Sequence, residues 1–415
     1  MGRRTIAQVL MLVCIGGAIN AAQAAEGSGP QVSGSLRFSY FSSSRDLNQL
    51  GDLPVLTGEI ELEQSIADNQ RIEFKVRATE EGLFRDSDTR VKVDNAYWSL
   101  RTERIALRFG LQRVRWGMAD GINPTDFFTP SDNTVLLPLE DDRYLAVPAL
   151  RADVHVSDND SISLIAEPGF TATRLPWPTP SPVMVRDDEP SGWQFGARWL
   201  HTGERIDWSA SIFQGYSTLP LLHFDGFAST EAPTFLRHYT AIRAIGADVA
   251  RNFGQYGFRA ELAYIRPYAS TGRQSVRAGY FLVAGFDRKF DRWNINLQTL
   301  VRYTPGLGAV AADPLPPRQW ATLQNAIVFG QRTRMAYGMT ARIVAGWFND
   351  TLETEVLAVV NFSPGNYLIR PLLTYSLSDR TKLRLGAEHY AGVDESYFGA
   401  LKRNRTAFVE MQFSF

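Results

Sequence analysis

Apolar and polar residues alternate along this chain in short runs from end to end. Over residues 31–40, Val32, Leu36, Phe38 and Tyr40 fall on one face and Ser33, Ser35, Arg37 and Ser39 on the other. Residues 59–63 set Ile60 and Leu62 against three glutamates, and 71–79 set Ile72, Phe74, Val76 and Ala78 against Arg71, Glu73, Lys75 and Arg77. The last ten residues repeat the pattern: Ala407, Val409, Met411, Phe413 and Phe415 oppose Thr406, Glu410, Gln412 and Ser414, and only Phe408 breaks it. A period of two is that of a strand with one apolar and one polar face. A soluble β-sandwich also alternates, but it rarely sustains so many consecutive strands in one unit. The pattern predicts an all-β fold, a transmembrane antiparallel β-barrel with apolar faces toward lipid and a polar lumen.

Connections alternate in length, as such a barrel requires. Short ones fall at 67–70, 101–104, 157–160, 201–204, 251–254 and 378–381, and long ones at 118–148, 176–190, 221–234, 305–317 and 392–405. Periodicity alone yields 19 segments, whereas two chain ends on one side of the membrane demand an even number. Residues 320–331 alternate worst. Assigning them to a loop leaves about 18 strands, with 16 or 20 also compatible. Pro371, inside a predicted strand, cannot donate to a ladder and predicts a bulge. Trp98, Trp116, Trp193, Trp199, Trp208, Trp293 and Trp347 fall near strand ends, where an indole ring suits the headgroup region.

Composition narrows the class. Residues 1–24 carry only Arg3 and Arg4 before an apolar stretch and the small-x-small site at Ala22 and Ala24, which reads as a signal peptide, leaving 25–415 as the barrel. The single cysteine, Cys14, belongs to that leader, so the mature chain has neither disulfides nor thiolate metal sites. Removing the leader takes the net charge from −1 to −3, which argues against nucleic acid as a partner. Five of the 43 basic residues are lysine and the rest arginine, a bias set either by genome composition or by a need for fixed, bidentate cations.

The inward faces hold the candidate chemistry. Arg71, Arg77, Arg108, Arg113, Arg115, Arg151, Arg198 and Arg302 are the candidate pore-lining, anion-contacting cations. Arg342, Arg370 and Arg384 also fall on the lumen face, with acids that include Glu59, Glu261, Glu388 and Glu410. Such a lining either selects solutes through its field or pairs across strands to fix the wall. Arg113 and Arg115 point outward unless a bulge changes the register. The segment 118–148 sets Asp120, Asp126, Asp132, Glu140, Asp141 and Asp142 against Arg143, and a loop of this length is a candidate constriction. Its carboxylates have no calcium-loop spacing. Five histidines offer no metal pair, and His389 faces no serine that it would activate. No catalytic residue, metal or cofactor is expected, and transport needs none.

Two resemblances sharpen the expectation. A strand that stops on an aromatic at the C-terminus resembles the closing strand of a Gram-negative outer-membrane barrel, where Phe415 would address the barrel-assembly machinery. The run RFGLQRVRWG at 108–117, with DGINPTD at 120–126, DTLETE at 350–355, LIRP at 368–371 and LGAE at 385–388, resembles the alginate-export-like outer-membrane porins. That resemblance implies passage or export of polar, anionic solutes or an exopolysaccharide, and contact with outer-membrane lipid and lipopolysaccharide. The alternatives are a FadL-like carrier of apolar molecules and a closed barrel serving as a scaffold for assembly. A carrier of that type has an N-terminal hatch, for which 25–30 is short.

Overall fold

In the computed structural model, residues 29–44, 51–83, 88–134, 138–176, 183–229, 232–268, 276–311 and 316–415 are described. Residues 1–24, the expected signal peptide with Cys14, lie outside them. In chain order the first strands are β1 (Gln31–Ser43), β2 (Asp52–Ala67), β3 (Gln70–Glu81), β4 (Asp88–Arg101), β5 (Ile105–Gln112), β6 (Val147–His155) and β7 (Asp160–Glu167). Next come β8 (Met184–Asp188), β9 (Gln194–Thr202), β10 (Asp207–Tyr216), β11 (Leu221–Ser229), β12 (Ala232–His238), β13 (Ala241–Phe253) and β14 (Tyr256–Pro267). The last are β15 (Gly279–Phe290), β16 (Trp293–Tyr303), β17 (Met335–Trp347), β18 (Leu352–Phe362), β19 (Gly365–Ser376), β20 (Thr381–Gly392) and β21 (Thr406–Ser414).

Eighteen of these form one sheet of antiparallel neighbours, while β8, β11 and β12 form a separate three-stranded sheet. The large sheet closes where β1 meets β21, from Ser35 opposite Ser414 to Ser43 opposite Thr406. Closure leaves no edge and pairs the wall's backbone internally, the condition for crossing hydrocarbon with strands. One end carries the short turns, and the other carries the long connections, the small sheet and helix α1 (Pro317–Val328). Residues 320–331 are thus loop-end structure, mostly helical, and the count of 18 holds.

The two faces of the wall meet different surroundings. Phe38, Tyr40, Phe109, Leu164, Ile212, Ile245, Phe286, Leu297, Tyr337, Met339, Val409 and Met411 project outward and are exposed, a lipid-facing belt. Phe415 ends on this outer face, its ring over Gly34, where a Cβ would stand 2.6 Å from the ring. Phe408, the exception in the last strand, points inward and packs on Phe41 at 5.6 Å between ring centroids. At the short-turn end Trp199 lies 5.6 Å from Trp208, and Trp293 lies 5.8 Å from Trp347, as expected for an interfacial girdle.

Two expectations fail. Trp116 is buried inside the barrel, not in the girdle, because it belongs to a loop that turns inward. Pro371 causes no bulge: Ile369 faces His389 and Leu372 faces Gly386 in one continuous register, with only the pairs between them missing. In the barrel wall the bulges lie instead between Ser65 and Ala67 in β2, and opposite Lys75 and Val76, where Asp94 is the extra residue of β4.

Candidate functional site

The site is built by residues 113–146, which join β5 to β6 and fold into the lumen. Val114, Trp116, Phe127 and Phe128 from this loop form one buried cluster with inward residues of the wall, among them Ile165, Phe213, Ala244 and Ala263. Phe128 meets Trp116 and Phe213 edge-on at 5.2 and 4.9 Å, and Phe127 stacks on Phe213 at 5.4 Å. Burying a side chain of this size contributes about 1.5–3 kcal/mol, so the loop is seated on the wall, not merely tethered. Gly196 makes room for it: a Cβ there would lie 2.6 Å from Phe128 and 2.7 Å from Trp116. The backbone N–H groups of Met118 and Ala119 donate to Glu261 of β14, and Thr125 Oγ1 donates to the same carboxylate at 3.2 Å. Gly117, at φ +104°, lets the chain pass against that carboxylate.

Beyond this seat the loop crosses the barrel as a polar strut. Arg342 of β17 lies 3.3 Å from Asp120 and 2.7 Å from Glu140, and Arg370 of β19 lies 3.2 Å from Glu140. Arg143 reaches Glu388 of β20 at 2.8 Å. Asp142 meets Arg37 of β1 at 2.6 Å and Arg77 of β3 at 2.7 Å. Lys92 of β4 donates to the carbonyls of Asp142 and Tyr144 at 2.9 and 2.7 Å. Burial alone would raise the Asp142 carboxyl, but Arg37 and Arg77 outweigh it and hold it below the usual carboxylate range. The Arg143 guanidinium loses water by burial, yet Glu388 holds its proton more tightly than usual. Asp126 has no cation in ion-pair range among the described residues. Burial raises it from 3.8 to about 7, against the opposing effect of a hydrogen bond from Thr129.

Asp94 organises the cationic side of the strut. It is fully buried and lies 3.0 Å from Arg77, 3.1 Å from Lys92 and 2.6 Å from Arg113. Asp94 shares the lumen face with Lys92, two residues before it, and the β4 bulge, where two residues oppose one on β3, brings the adjacent Asn95 to that face as well. A strict alternation misassigns that strand, and Lys92 and Asp94 were not among the sequence candidates; acidic and basic residues two apart in a strand were the available signal.

The nominated cations lie inside the barrel, but they are not one constellation. Arg71 sits at the short-turn end, far along β3 from the loop, exposed and paired with Glu63 at 2.6 Å. Arg77 is enclosed by Glu59, Asp94 and Asp142, so it frames the wall and does not face solute. Arg113 and Arg115 follow the end of β5 and turn inward with the loop, Arg115 lying over the Tyr144 ring at 4.4 Å and pairing with Asp141 at 3.1 Å. Arg151 pairs with Asp153 at 2.9 Å and Arg198 with Asp248 at 3.1 Å. Asp132 pairs with Arg174 at 3.0 Å rather than with the wall. Arg108 and Arg302 have no carboxylate in ion-pair range among the described residues; Arg108 lies over Tyr97 at 5.3 Å and Arg302 over Phe281 at 3.6 Å. Among the described residues no three acidic or histidine groups are placed to hold a metal ion.

Cavities lie on both sides of the strut. On the long-loop side, cavities of about 330 and 570 Å³ share Ile122, Tyr144, Val359, Tyr397 and Phe398, and Arg302 lines the larger. On the short-turn side a cavity of about 460 Å³ is lined by Arg259, Asp287, Glu353 and Glu355. Asp120 and Arg342 line cavities on both sides of the strut.

This architecture has counterparts among solved structures. OccAB3 of Acinetobacter baumannii is similar over 94% of this chain and 100% of its own, at 8% identity and a TM-score of 0.59. OccK5 (OpdH) of Pseudomonas aeruginosa covers 94% and 99% at 7% identity and 0.58, and OpdK of that organism, crystallised with vanillate, covers 93% and 98% at 11% identity and 0.58. OpdK is described as an outer membrane protein. The fold is that of an outer-membrane barrel. Its closed wall and lipid-facing belt place the chain in the outer membrane of a Gram-negative bacterium. No family model and no curated protein matches the chain. The likeness to alginate-export-like porins therefore rests on short segments alone.

Proposed function

We propose that the chain is a passive outer-membrane channel for small organic anions, with aromatic carboxylates as the best-fitting class. One observation carries this reading: a loop tied to opposite walls leaves chambers of a few hundred Å³, lined by aromatic rings and guanidinium groups. An aromatic ring suits Tyr390, Tyr397 and Phe398, and a carboxylate suits Arg302, whose charge no described acid offsets. OpdK, of similar fold, was crystallised with vanillate, an aromatic carboxylate. A polymer needs a continuous wide bore, which the strut interrupts, so the exopolysaccharide reading is the weaker one. An apolar carrier would need an exit through the wall, yet the ladder from β6 through β14 is unbroken.

Reconstitution in planar bilayers tests this. Stepwise currents with a reversal potential favouring anions, blocked by vanillate or benzoate, are expected. Arg302→Gln should weaken block several-fold while leaving the folded barrel intact. Absence of unitary steps would instead favour a closed scaffold.

A further inference from the structure

The outer surface of the barrel carries a feature that transport does not use. Arg243 of β13 and Arg266 of β14 are exposed on the lipid-facing side and stand directly opposite each other in the ladder. Side chains so paired have Cβ atoms about 4.5–5.5 Å apart, and like charges in that position repel. Among the described residues neither has a carboxylate in ion-pair range. Arg243 donates to Gln214 at 2.9 Å and lies over the Tyr268 ring at 4.9 Å, which holds its guanidinium at the surface. Both arginines lie within three residues of the long-loop ends of their strands, at the edge of the apolar belt.

An apolar groove of about 840 Å³ runs from this pair across β6, β7, β9 and β10. Its depth comes from small outward residues, Ala152, Ala166 and Ala197, flanked by larger ones such as Ile212 and Ile245. At the opposite end of the same wall, the outward Arg251 and Arg288 each lie over aromatic rings, Phe253 at 4.6 Å and Tyr256 at 4.8 Å, with no second arginine opposite.

We infer that Arg243 and Arg266 bind the phosphate of a phosphorylated, acylated lipid in the leaflet at the long-loop end, whose acyl chain lies in the alanine-floored groove. Two guanidinium groups supply fork-shaped donors for phosphate oxygens, and the anion removes their mutual repulsion. The groove supplies apolar contact that a free phosphate cannot use.

Native mass spectrometry of the full chain, folded in detergent and titrated with bisphosphorylated lipid A, tests the site. The wild-type barrel should retain one such lipid. Combined Arg243→Gln and Arg266→Gln should lower affinity about 30-fold, the loss expected for two surface cations facing an anionic headgroup. Ala197→Leu, which fills the groove without changing charge, should also weaken retention, and heat-modifiable gel mobility confirms that each variant is folded. Lipid A stripped of phosphate should bind as weakly as the double variant, and inorganic phosphate should not displace the lipid. Equal retention by wild type and double variant overturns the inference. So does an equal loss from Arg251→Gln with Arg288→Gln, equal affinity for stripped lipid, or full displacement by inorganic phosphate.

Discussion

Replacing Asp94 by asparagine removes one charge from the wall where it meets the strut, while keeping the side chain's shape. In the native barrel Arg37, Arg77, Lys92 and Arg113 face Asp94, Asp142 and Glu59, and Asp94 touches three of the four cations at 2.6–3.1 Å. Removing one partner of a buried ion pair costs about 3–5 kcal/mol. Arg113 and Lys92 keep 23% and 24% side-chain exposure, so water recovers part of their solvation and the lower end, about 3 kcal/mol, is expected. The cost falls on the loop rather than the wall, because the ladder bonds are untouched. Asp94→Asn should therefore leave the heat-modifiable barrel intact, expose residues 113–146 to protease, and shift the reversal potential in a KCl gradient toward anions. An unchanged reversal potential together with unchanged protection of the loop would refute the view that this carboxylate holds the strut.

Two further outcomes follow from the loop's seat. The half-buried Asp126 carboxyl, raised from 3.8 to about 7, keeps its proton in the seated loop well above its unfolded value. Its contribution is thus fully present below about pH 4 and is lost as pH rises through about 7. Protection of the amides of residues 118–130, with the intrinsic pH dependence of exchange divided out, should therefore be greater at pH 5.5 than at 8.5, and Asp126→Asn should flatten that difference; a profile identical in both proteins would discard the assignment. Gly196→Val would place side-chain atoms where Phe128 and Trp116 now lie, less than 3 Å from the new Cβ, and should unseat the loop and raise single-channel conductance. A conductance equal to wild type would show that the aromatic seat does not limit flow.

Alternation made the wall legible because a strand between lipid and water has no other way to arrange its side chains. Thus Val409, Met411 and Tyr40 face outward as their spacing implied, and 320–331, lacking the pattern, is mostly helix. The interior was less legible for a physical reason. Once the chain leaves β5 at Gln112, parity no longer says which way a side chain points, and Trp116, Arg113 and Arg115 all turn inward. Bulges have the same effect inside a strand, as Asn95, inward beside Asp94, shows. Phe408 breaks its own pattern because it answers Phe41 on the neighbouring strand, far away in sequence. Arginine and carboxylate content announced a charged lumen, but which cations are neutralised depends on partners such as Arg143 and Glu388, 245 positions apart.

That separation bears on how the barrel is made. The strut leaves the wall after β5, yet Glu261, Arg342, Arg370 and Glu388, which hold its far side, lie on strands synthesised much later. These contacts exist only when both halves of the wall are in place, so the loop is fully tied only in the complete barrel.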